Sequence, residues 1–348
     1  MVPRFISSLS SLLKDFFIKE GDILEYETLN LIDTLIAIKK IKDHFEQRLS
    51  KILKLIRVSA PLFVESNKGI NDNLNGVEQP VSFKVGNNDI EIVHSLAKWK
   101  RMALAKYNLR MHSGLYTDMN AIRKDEELDA IHSIYVDQWD WEMLIEEKDR
   151  NIDFLKNIVT KIYNVLRETE IYLQNEYPNI TPKLSNEIHF ITSEELLNMY
   201  PNLTPKEREN KIVKEKKAVF LLQIGKILSN GTKHDGRSPD YDDFELNGDI
   251  LVYNPVLDSA FELSSMGIRV NKESLLKQLE QENKLDRVNL EYHQLLLNNK
   301  LPLTIGGGIG QSRMCMFFLN KRHIGEVQTS YWPEEIIEKC KKENIELL

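Results

Sequence analysis

No linker rich in glycine, serine or proline divides this 348-residue chain. Strand-like segments and helix-like segments follow one another in separate runs, which is typical of folds in which helices pack against an antiparallel sheet. Apolar residues make up 42% of the chain, enough to form a sizeable core. The sequence therefore predicts an α+β fold, with residues 26–348 as a single domain and residues 1–25 as an N-terminal helical extension.

Hydrophobic periodicity predicts the main elements. Apolar residues three or four apart predict a long helix over 26–55, and a short strand follows it and stops at Pro61. Segments 114–123 and 132–141 predict two strands, and 249–253 and 261–270 predict two more. We interpret the run Gly306-Gly307-Gly308 as a turn that opens a last core helix ending at Leu319.

Composition excludes several classes of protein. The net charge is −7, whereas a protein that grips nucleic acid through its phosphates usually carries a basic excess, so no nucleic-acid partner is expected. No uncharged apolar run approaches the roughly 20 residues of a membrane span, so no membrane association is expected. The only two cysteines, Cys315 and Cys340, cannot form a disulfide framework, which favours a reducing compartment and a cytoplasmic location.

Charged residues concentrate in six patches, and each patch alone is more typical of a turn or a solvated face. Together they supply complementary chemistry. Asp72 and Asp242 could hold an ammonium group, and Asp249 and Glu262 offer oxygen ligands suited to Mg²⁺ beside a nucleotide. The cations suited to carboxylate and phosphate groups are Lys100, Arg123, Arg269 and Arg313.

Four blocks of sequence, in their order and spacing, resemble the ammonia-dependent, type A asparagine synthetases, also called aspartate–ammonia ligases. The resemblance runs from about residue 27 to about residue 333. It implies the catalytic fold of class II aminoacyl-tRNA synthetases of the aspartyl type, an antiparallel sheet flanked by helices. The blocks are HSLAKWKR at 94–101, YVDQWDWE at 135–142, FELSSMGIR at 261–269 and TIGGGIGQSR at 304–313.

By this resemblance, Arg123 binds the α-phosphate of ATP and the reacting carboxylate, while Arg313 stacks on adenine and reaches the γ-phosphate. Gly308 also contributes to the ATP site, and Asp249 and Glu262 hold Mg²⁺. Pro61 matches a proline at the interface of a homodimer. The residues implied to bind the amino acid are Asp72, Ser95, Lys100, Gln138, Asp140, Asp242, Ser265 and Arg269.

The implied reaction joins L-aspartate and ammonia at the expense of ATP, through a β-aspartyl-adenylate, and releases AMP and pyrophosphate. Asp72 and Asp242 are both candidates to take a proton from ammonium, and the sequence does not rank them. Two alternatives compete with this interpretation. An aminoacyl-tRNA synthetase or fragment would need an anticodon-binding domain and a basic surface for tRNA. A catalytically inactive relative should have lost the arginines or the metal carboxylates, yet all of them are present.

Overall fold

The computed structural model describes residues 28–72, 74 and 78–348 of the chain. The predicted extension, residues 1–25, lies outside these described residues. Nine α-helices occur in the described part of the chain: α1 Leu31–Leu53, α2 Ala97–Tyr107, α3 Ile152–Glu176, α4 Ser193–Met199, α5 Pro205–Lys216, α6 Lys272–Gln281, α7 Glu291–Leu297, α8 Gln311–Phe318 and α9 Glu334–Lys342. No helix among the described residues is both long enough and apolar enough to cross a membrane.

Eleven strands accompany these helices in the described part. They are β1 Leu55–Arg57, β2 Phe63–Glu65, β3 Ser82–Val85, β4 Asn88–Ile92, β5 Gly114–Ile122, β6 Tyr135–Leu144, β7 His189–Thr192, β8 Ala218–Leu222, β9 Asp242–Asn254, β10 Ser259–Arg269 and β11 Thr304–Gly310.

Eight strands form one sheet in the order β1-β5-β6-β11-β10-β9-β8-β7, and β2-β4-β3 form a small second sheet. The central pairs are antiparallel. Only the edge pairs β1–β5 and β7–β8 are parallel among the described strands. The predicted antiparallel sheet is therefore confirmed at its centre.

Two long helices cover one face of the large sheet. Helix α1 begins where the Asn30 side chain accepts a hydrogen bond from Asp33 N (2.9 Å), and it ends at Lys54 in the left-handed conformation. Its buried residues recur every four positions from Ala37 to Leu53, which produces one apolar stripe. Helix α3 lies beside it, and Phe45 of α1 packs on Trp139 in the sheet. The predicted long helix is confirmed, although it is shorter than 26–55.

The side chains of β6 alternate between the two faces of the sheet. Trp139 and Trp141 belong to the core under the helices. Gln138, Asp140 and Glu142 point to the opposite face because successive side chains of a strand point in opposite directions. The polar face of the central strands is the face that carries the candidate site.

The prediction that Gly306-Gly307-Gly308 forms a turn is wrong, because these residues lie in the middle of β11. The strand needs glycines since its neighbours fill the space above and below it. A Cβ atom on Gly306 would lie 1.9 Å from Glu142 Oε2, and one on Gly307 would lie 2.5 Å from Met266 Cβ. Helix α8 begins only after the strand, at Gln311.

Replacing Gly307 by Ala should destabilise the fold, because the new methyl group meets the Met266 side chain and the backbone of β10. Overpacking of this kind costs about 1–3 kcal/mol. Gly310→Ala is the matched control, since its Cβ would lie 3.2 Å from the nearest atom, Arg313 Cβ. Urea denaturation of both variants measures the difference, and equal free energies of unfolding would contradict the packing argument.

Candidate active site

A cavity of about 350 Å³ lies over the polar face of the central strands. Its wall combines the loop between β5 and β6, the strands β6, β9, β10 and β11, the start of α8, and the loop between β8 and β9. The predicted site residues that line it are Arg123, Gln138, Asp249, Glu262, Ser265, Gly308 and Arg313. The other predicted site residues, Asp72, Ser95, Lys100, Asp140, Asp242 and Arg269, lie outside this lining.

A buried ion cluster is centred on Arg269, which is 2% exposed. Its guanidinium group makes a two-pronged contact with Glu142, with Nε donating to Oε1 (2.9 Å) and Nη2 donating to Oε2 (2.7 Å). Its Nη1 donates to Asp242 Oδ1. Burial alone would lower the pKa of Arg269, but Glu142 and Asp242 outweigh burial and raise it. Arg269 thus already holds two carboxylates of the protein itself.

Lys100 extends this cluster from α2. Its ammonium group donates to Asp140 Oδ1 and to the carbonyl of Gly307 (2.9 Å). Burial lowers the pKa of Lys100, and the charge of Asp140 only partly offsets that effect. The second oxygen of Asp140, Oδ2, is buried and has no hydrogen-bond partner among the described residues. An unsatisfied buried carboxylate oxygen is costly, so this atom is an acceptor available to a ligand.

Asp72 lies between β2 and β3 and is 2% exposed. Ser95 Oγ donates to its Oδ2 (2.6 Å), and Leu74 N donates to its Oδ1. Burial raises the pKa of Tyr241 well above its usual range, and the charges of Asp72 and Asp242 add to the effect. Tyr241, which lines the cavity, therefore has both of these predicted carboxylates nearby.

Asp249 and Glu262, the residues predicted to hold Mg²⁺, both line the cavity. Asp249 on β9 pairs with Ser265 on β10, and a register shift follows Glu262 in the same strand. Burial raises the pKa of Asp249 to about 7, and the negative charge of Glu262 adds to that rise. Two carboxylates that line one cavity are an arrangement suited to binding a divalent cation.

The two predicted phosphate-binding arginines both line the cavity. Arg123 follows β5; its Nη2 lies 3.4 Å from the carbonyl of His94, and its buried Nε has no acceptor among the described residues. Arg313 lies in the first turn of α8, with its guanidinium carbon 5.8 Å from the centroid of the Phe261 ring. Its Nη1 donates to the carbonyl of Glu262 (3.3 Å).

Asp137 fixes the helix that carries Arg313, and sequence reasoning assigned it no role. Its carboxylate accepts hydrogen bonds from Ser312 N (3.0 Å) and Ser312 Oγ (2.8 Å), so it caps the start of α8 from a neighbouring strand. Lys42 of α1 also contacts Asp137 (3.1 Å). The sequence signal was weak, because Asp137 is one of several acidic residues in the same polar strand.

Arg237 is the second functional residue that sequence reasoning left unassigned. It lies in the loop between β8 and β9, lines the cavity, and donates from Nη2 to Asp249 Oδ1 (2.8 Å) and from Nη1 to Ser265 Oγ. Burial alone would lower the pKa of Arg237, but the negative charges of Asp249 and Asp242 outweigh burial and raise it. The only available signal was the density of charged residues over 234–243.

Comparison with known proteins identifies the family. The family model described as aspartate–ammonia ligase matches residues 32–344. The chain belongs to this family. It is therefore a ligase, and the predicted resemblance is confirmed.

Relatives of this ligase agree over nearly their whole length. The aspartate–ammonia ligase of Clostridium tetani is 62% identical over 328 residues, which cover 93% of this chain and 96% of the relative. That of Fusobacterium nucleatum is 60% identical, covering 92% and 98%. That of Pediococcus pentosaceus is 55% identical, covering 92% and 96%.

Solved structures match the ligase in fold. The asparaginyl-tRNA synthetase of Pyrococcus horikoshii, complexed with asparaginyl-adenylate, has a TM-score of 0.64 at 14% identity, covering 86% of this chain and 70% of that one. A putative aspartyl-tRNA synthetase of Leishmania major has a TM-score of 0.59 at 16% identity, covering 86% and 65%. The predicted class II synthetase-like fold is confirmed.

Replacing Arg269 by Met should strongly destabilise the ligase, because Glu142 and Asp242 would keep buried charges without their shared cation. Removing one partner of a buried ion pair costs about 3–5 kcal/mol. Arg57→Met is the control, because Arg57 pairs with Asp118 at the surface and its side chain is 59% exposed. Denaturant unfolding compares the two variants, and a loss in Arg269→Met no larger than in the control would refute the role of the cluster.

Proposed function

We propose that this ligase synthesises L-asparagine from L-aspartate, ammonia and ATP through a β-aspartyl-adenylate, with AMP and pyrophosphate as the other products. Membership of the aspartate–ammonia ligase family supports the overall reaction. The observation that carries the adenylate step is that one cavity holds Arg123 and Arg313 together with the carboxylates Asp249 and Glu262. Phosphate-binding cations and a pair of carboxylates suited to a metal ion are the groups that an adenylation site requires.

Adenylation explains why ATP is needed. A carboxylate is a poor acyl donor because its leaving group would be oxide. When the β-carboxylate attacks the α-phosphorus, pyrophosphate leaves and the carbonyl carbon acquires AMP as a leaving group. Ammonia then attacks that carbon and AMP departs.

Arg123 and Arg313 bind the nucleotide in this proposal. Arg123 neutralises the charge that develops on the α-phosphate oxygens, and its Nε, which has no acceptor among the described residues, can donate to them. Arg313 binds adenine with the face of its guanidinium group and the γ-phosphate with its edge. Gly308 lies in the cavity lining, and without a side chain it lets the nucleotide approach β11 closely.

The residues present fit a magnesium ion. Asp249 and Glu262 face one cavity, and burial together with their mutual repulsion raises the pKa of Asp249. Mg²⁺ commonly binds proteins through one or two carboxylates plus the phosphates of a nucleotide. When bound there, the ion would supply positive charge to the phosphates of ATP.

The aspartate pocket lies behind the nucleotide site in this proposal. Its cations are Lys100 and Arg269. Asp140 Oδ2, which has no hydrogen-bond partner in the described part of the chain, is the acceptor for the substrate's ammonium group. Ser95, Gln138 and Ser265 supply the remaining polar contacts.

Asp72 and Asp242 are the two candidates to take the proton from ammonium, and they differ in their partners. Asp242 is ion-paired with the buried Arg269. Asp72 is hydrogen-bonded to neutral donors, namely Ser95 Oγ and Leu74 N. We propose that Asp72 takes the proton, because its carboxylate is not ion-paired with a cation among the described residues.

The adenylate route predicts the stoichiometry of the products. The purified protein supplied with L-aspartate, ATP and ammonium chloride should form asparagine and AMP in equal amounts, because each adenylate yields one of each. Chromatography of nucleotides and amino acids measures both products. ADP as the matching product would contradict the adenylate route.

Glutamine is the control nitrogen source. A glutamine-dependent enzyme commonly uses a reactive cysteine thiolate. Burial raises the pKa of Cys315 to about 12, and it also raises the pKa of Cys340. Glutamine in place of ammonium should therefore give little asparagine, and glutamate released one for one with asparagine would overturn the use of free ammonia.

The proposed roles of Arg123 and Arg313 in binding the nucleotide predict a loss of activity when either is replaced. Either change to Ala should lower kcat by roughly 100-fold or more, which is the scale of a preorganised contact to developing charge. Arg123→Lys should recover only part of the loss because the planar fork is gone. Arg322→Ala, at an exposed position outside the cavity lining, is the matched control. Steady-state kinetics measure kcat for each variant. A near-normal kcat in folded Arg123→Ala would refute the role of Arg123 at the phosphates.

We also propose that residues 26–348 form one domain that pairs as a homodimer through α1. Several large apolar side chains of α1 are solvent-exposed, among them Ile32 (62%), Leu35 (45%) and Ile36 (47%). An exposed apolar stripe on a helix is typical of an interface between protein copies. The cytoplasmic location stays a prediction.

Light scattering tests the dimer. The protein should have twice the chain mass of 40.6 kDa, and the double variant Leu35→Glu with Ile36→Glu should be a monomer because it places charges in the interface. Ile171→Glu is the control, since Ile171 is 51% exposed on α3. A monomeric protein before any substitution would refute the dimer.

A further inference from the structure

Arg237 occupies the position in which a divalent cation would bind Asp249. Its Nη2 lies 2.8 Å from Asp249 Oδ1, and its Nη1 is hydrogen-bonded to Ser265 Oγ. Its Nε lies 3.7 Å from Asp242 Oδ2 and makes no hydrogen bond to a described residue. The side chain is only 9% exposed, so the guanidinium group lies inside the cavity wall rather than in solvent.

The loop around Arg237 is anchored on both sides. Beyond Arg237, Asp240 is fully buried and accepts a hydrogen bond from His293 (3.0 Å). Before it, His234 is buried and its Nε2 lies 3.0 Å from Glu209 Oε1. The backbone therefore holds the base of the Arg237 side chain close to the cavity, while the long side chain has rotatable bonds that can carry its charge to another acceptor.

Arg237 and a metal ion exclude each other at Asp249 for electrostatic reasons. Mg²⁺ binds carboxylate oxygen at about 2.0–2.1 Å, so an ion on Oδ1 would lie within a few ångströms of a guanidinium group that is bonded to the same atom. Two positive charges at such a distance in a cavity shielded from water repel each other strongly. Binding of the ion requires Arg237 to leave Asp249, and a departing guanidinium group needs a new anionic partner.

We propose that Arg237 is an internal counterion that neutralises Asp249 in the free enzyme and is displaced only when nucleotide and divalent cation bind together. The phosphates of the nucleotide supply the acceptors that the released guanidinium group requires, and Arg binds phosphate through two parallel hydrogen bonds. The cation alone brings no phosphate that could bind the released guanidinium group. It must therefore displace Arg237 from Asp249 without the help of a nucleotide. This inference rests on the proposed function, because it takes Asp249 as a ligand of the nucleotide's metal ion.

Manganese binding to the free protein tests the inference, with the electron paramagnetic resonance signal of free Mn²⁺ as the readout. Arg237→Gln should bind Mn²⁺ about tenfold more tightly than the unsubstituted protein in the absence of nucleotide, since removal of a nearby positive charge is worth at least one such factor. Arg237→Lys keeps the charge and should exclude the ion as the unsubstituted protein does. Arg322→Gln removes an arginine at an exposed position outside the cavity lining, and it should leave Mn²⁺ affinity unchanged.

The same titration is repeated with the α,β-methylene analogue of ATP. In the unsubstituted protein the analogue should strongly increase the affinity for Mn²⁺. In Arg237→Gln the increase should be smaller, because the phosphates of the analogue no longer have a displaced arginine to bind. Thermal unfolding of each variant verifies that it is folded, and Arg237→Met replaces Arg237→Gln if the latter is not.

Two outcomes separate the inference from the function on which it rests. If Arg237→Gln binds Mn²⁺ as weakly as the unsubstituted protein, while Asp249→Asn weakens Mn²⁺ binding in the presence of the analogue, the inference is overturned and the metal site stands. If the gain in Arg237→Gln persists after Asp249→Asn is added, the ion binds elsewhere. That second outcome overturns both the metal site at Asp249 and the role of Arg237.

Discussion

Charged side chains on a buried sheet face are tolerable only when each is paired, and this constraint organises the centre of the molecule. Glu142 and Arg269 lie on strands that flank β11, and they join across it through two hydrogen bonds. Asp242 and Lys100 complete the cluster from the neighbouring elements. An isolated buried ion costs several kcal/mol or more, so the pairs must form as the sheet closes. The glycines of β11 leave the space in which they meet.

The same pairing explains how the cavity can be polar and still stable. Several charges in and behind its wall already have protein partners, as Asp249 has Arg237 and Asp140 has Lys100. In the proposed function, the charged groups of the substrates replace the protein partners of these side chains, so they do not bind to unpaired charges. Such preorganised groups stabilise developing charge without the reorganisation that water would need.

Much of the fold could be predicted from the sequence because it rests on local signals. Apolar residues three or four apart predicted the long helix α1, and the strand-like segment 132–141 predicted the strand β6. The glycine run was misread since its local signal is that of a turn, whereas its cause is long-range. Only the positions of Glu142 and Met266 on the adjacent strands reveal why β11 must lack side chains there. Arg237 and Asp137 were left unassigned for a similar reason, as their partners lie on other elements.

The central claim is that the β-carboxylate of aspartate attacks the α-phosphorus of ATP in this cavity, and oxygen transfer tests it most directly. Aspartate labelled with ¹⁸O in both β-carboxylate oxygens is converted with ATP and ammonium, and the products are weighed by mass spectrometry. Because the oxygen that attacks phosphorus leaves with AMP, one ¹⁸O should appear in each AMP and one should remain in each asparagine. Unlabelled AMP beside labelled asparagine, or label in inorganic phosphate, would contradict the account.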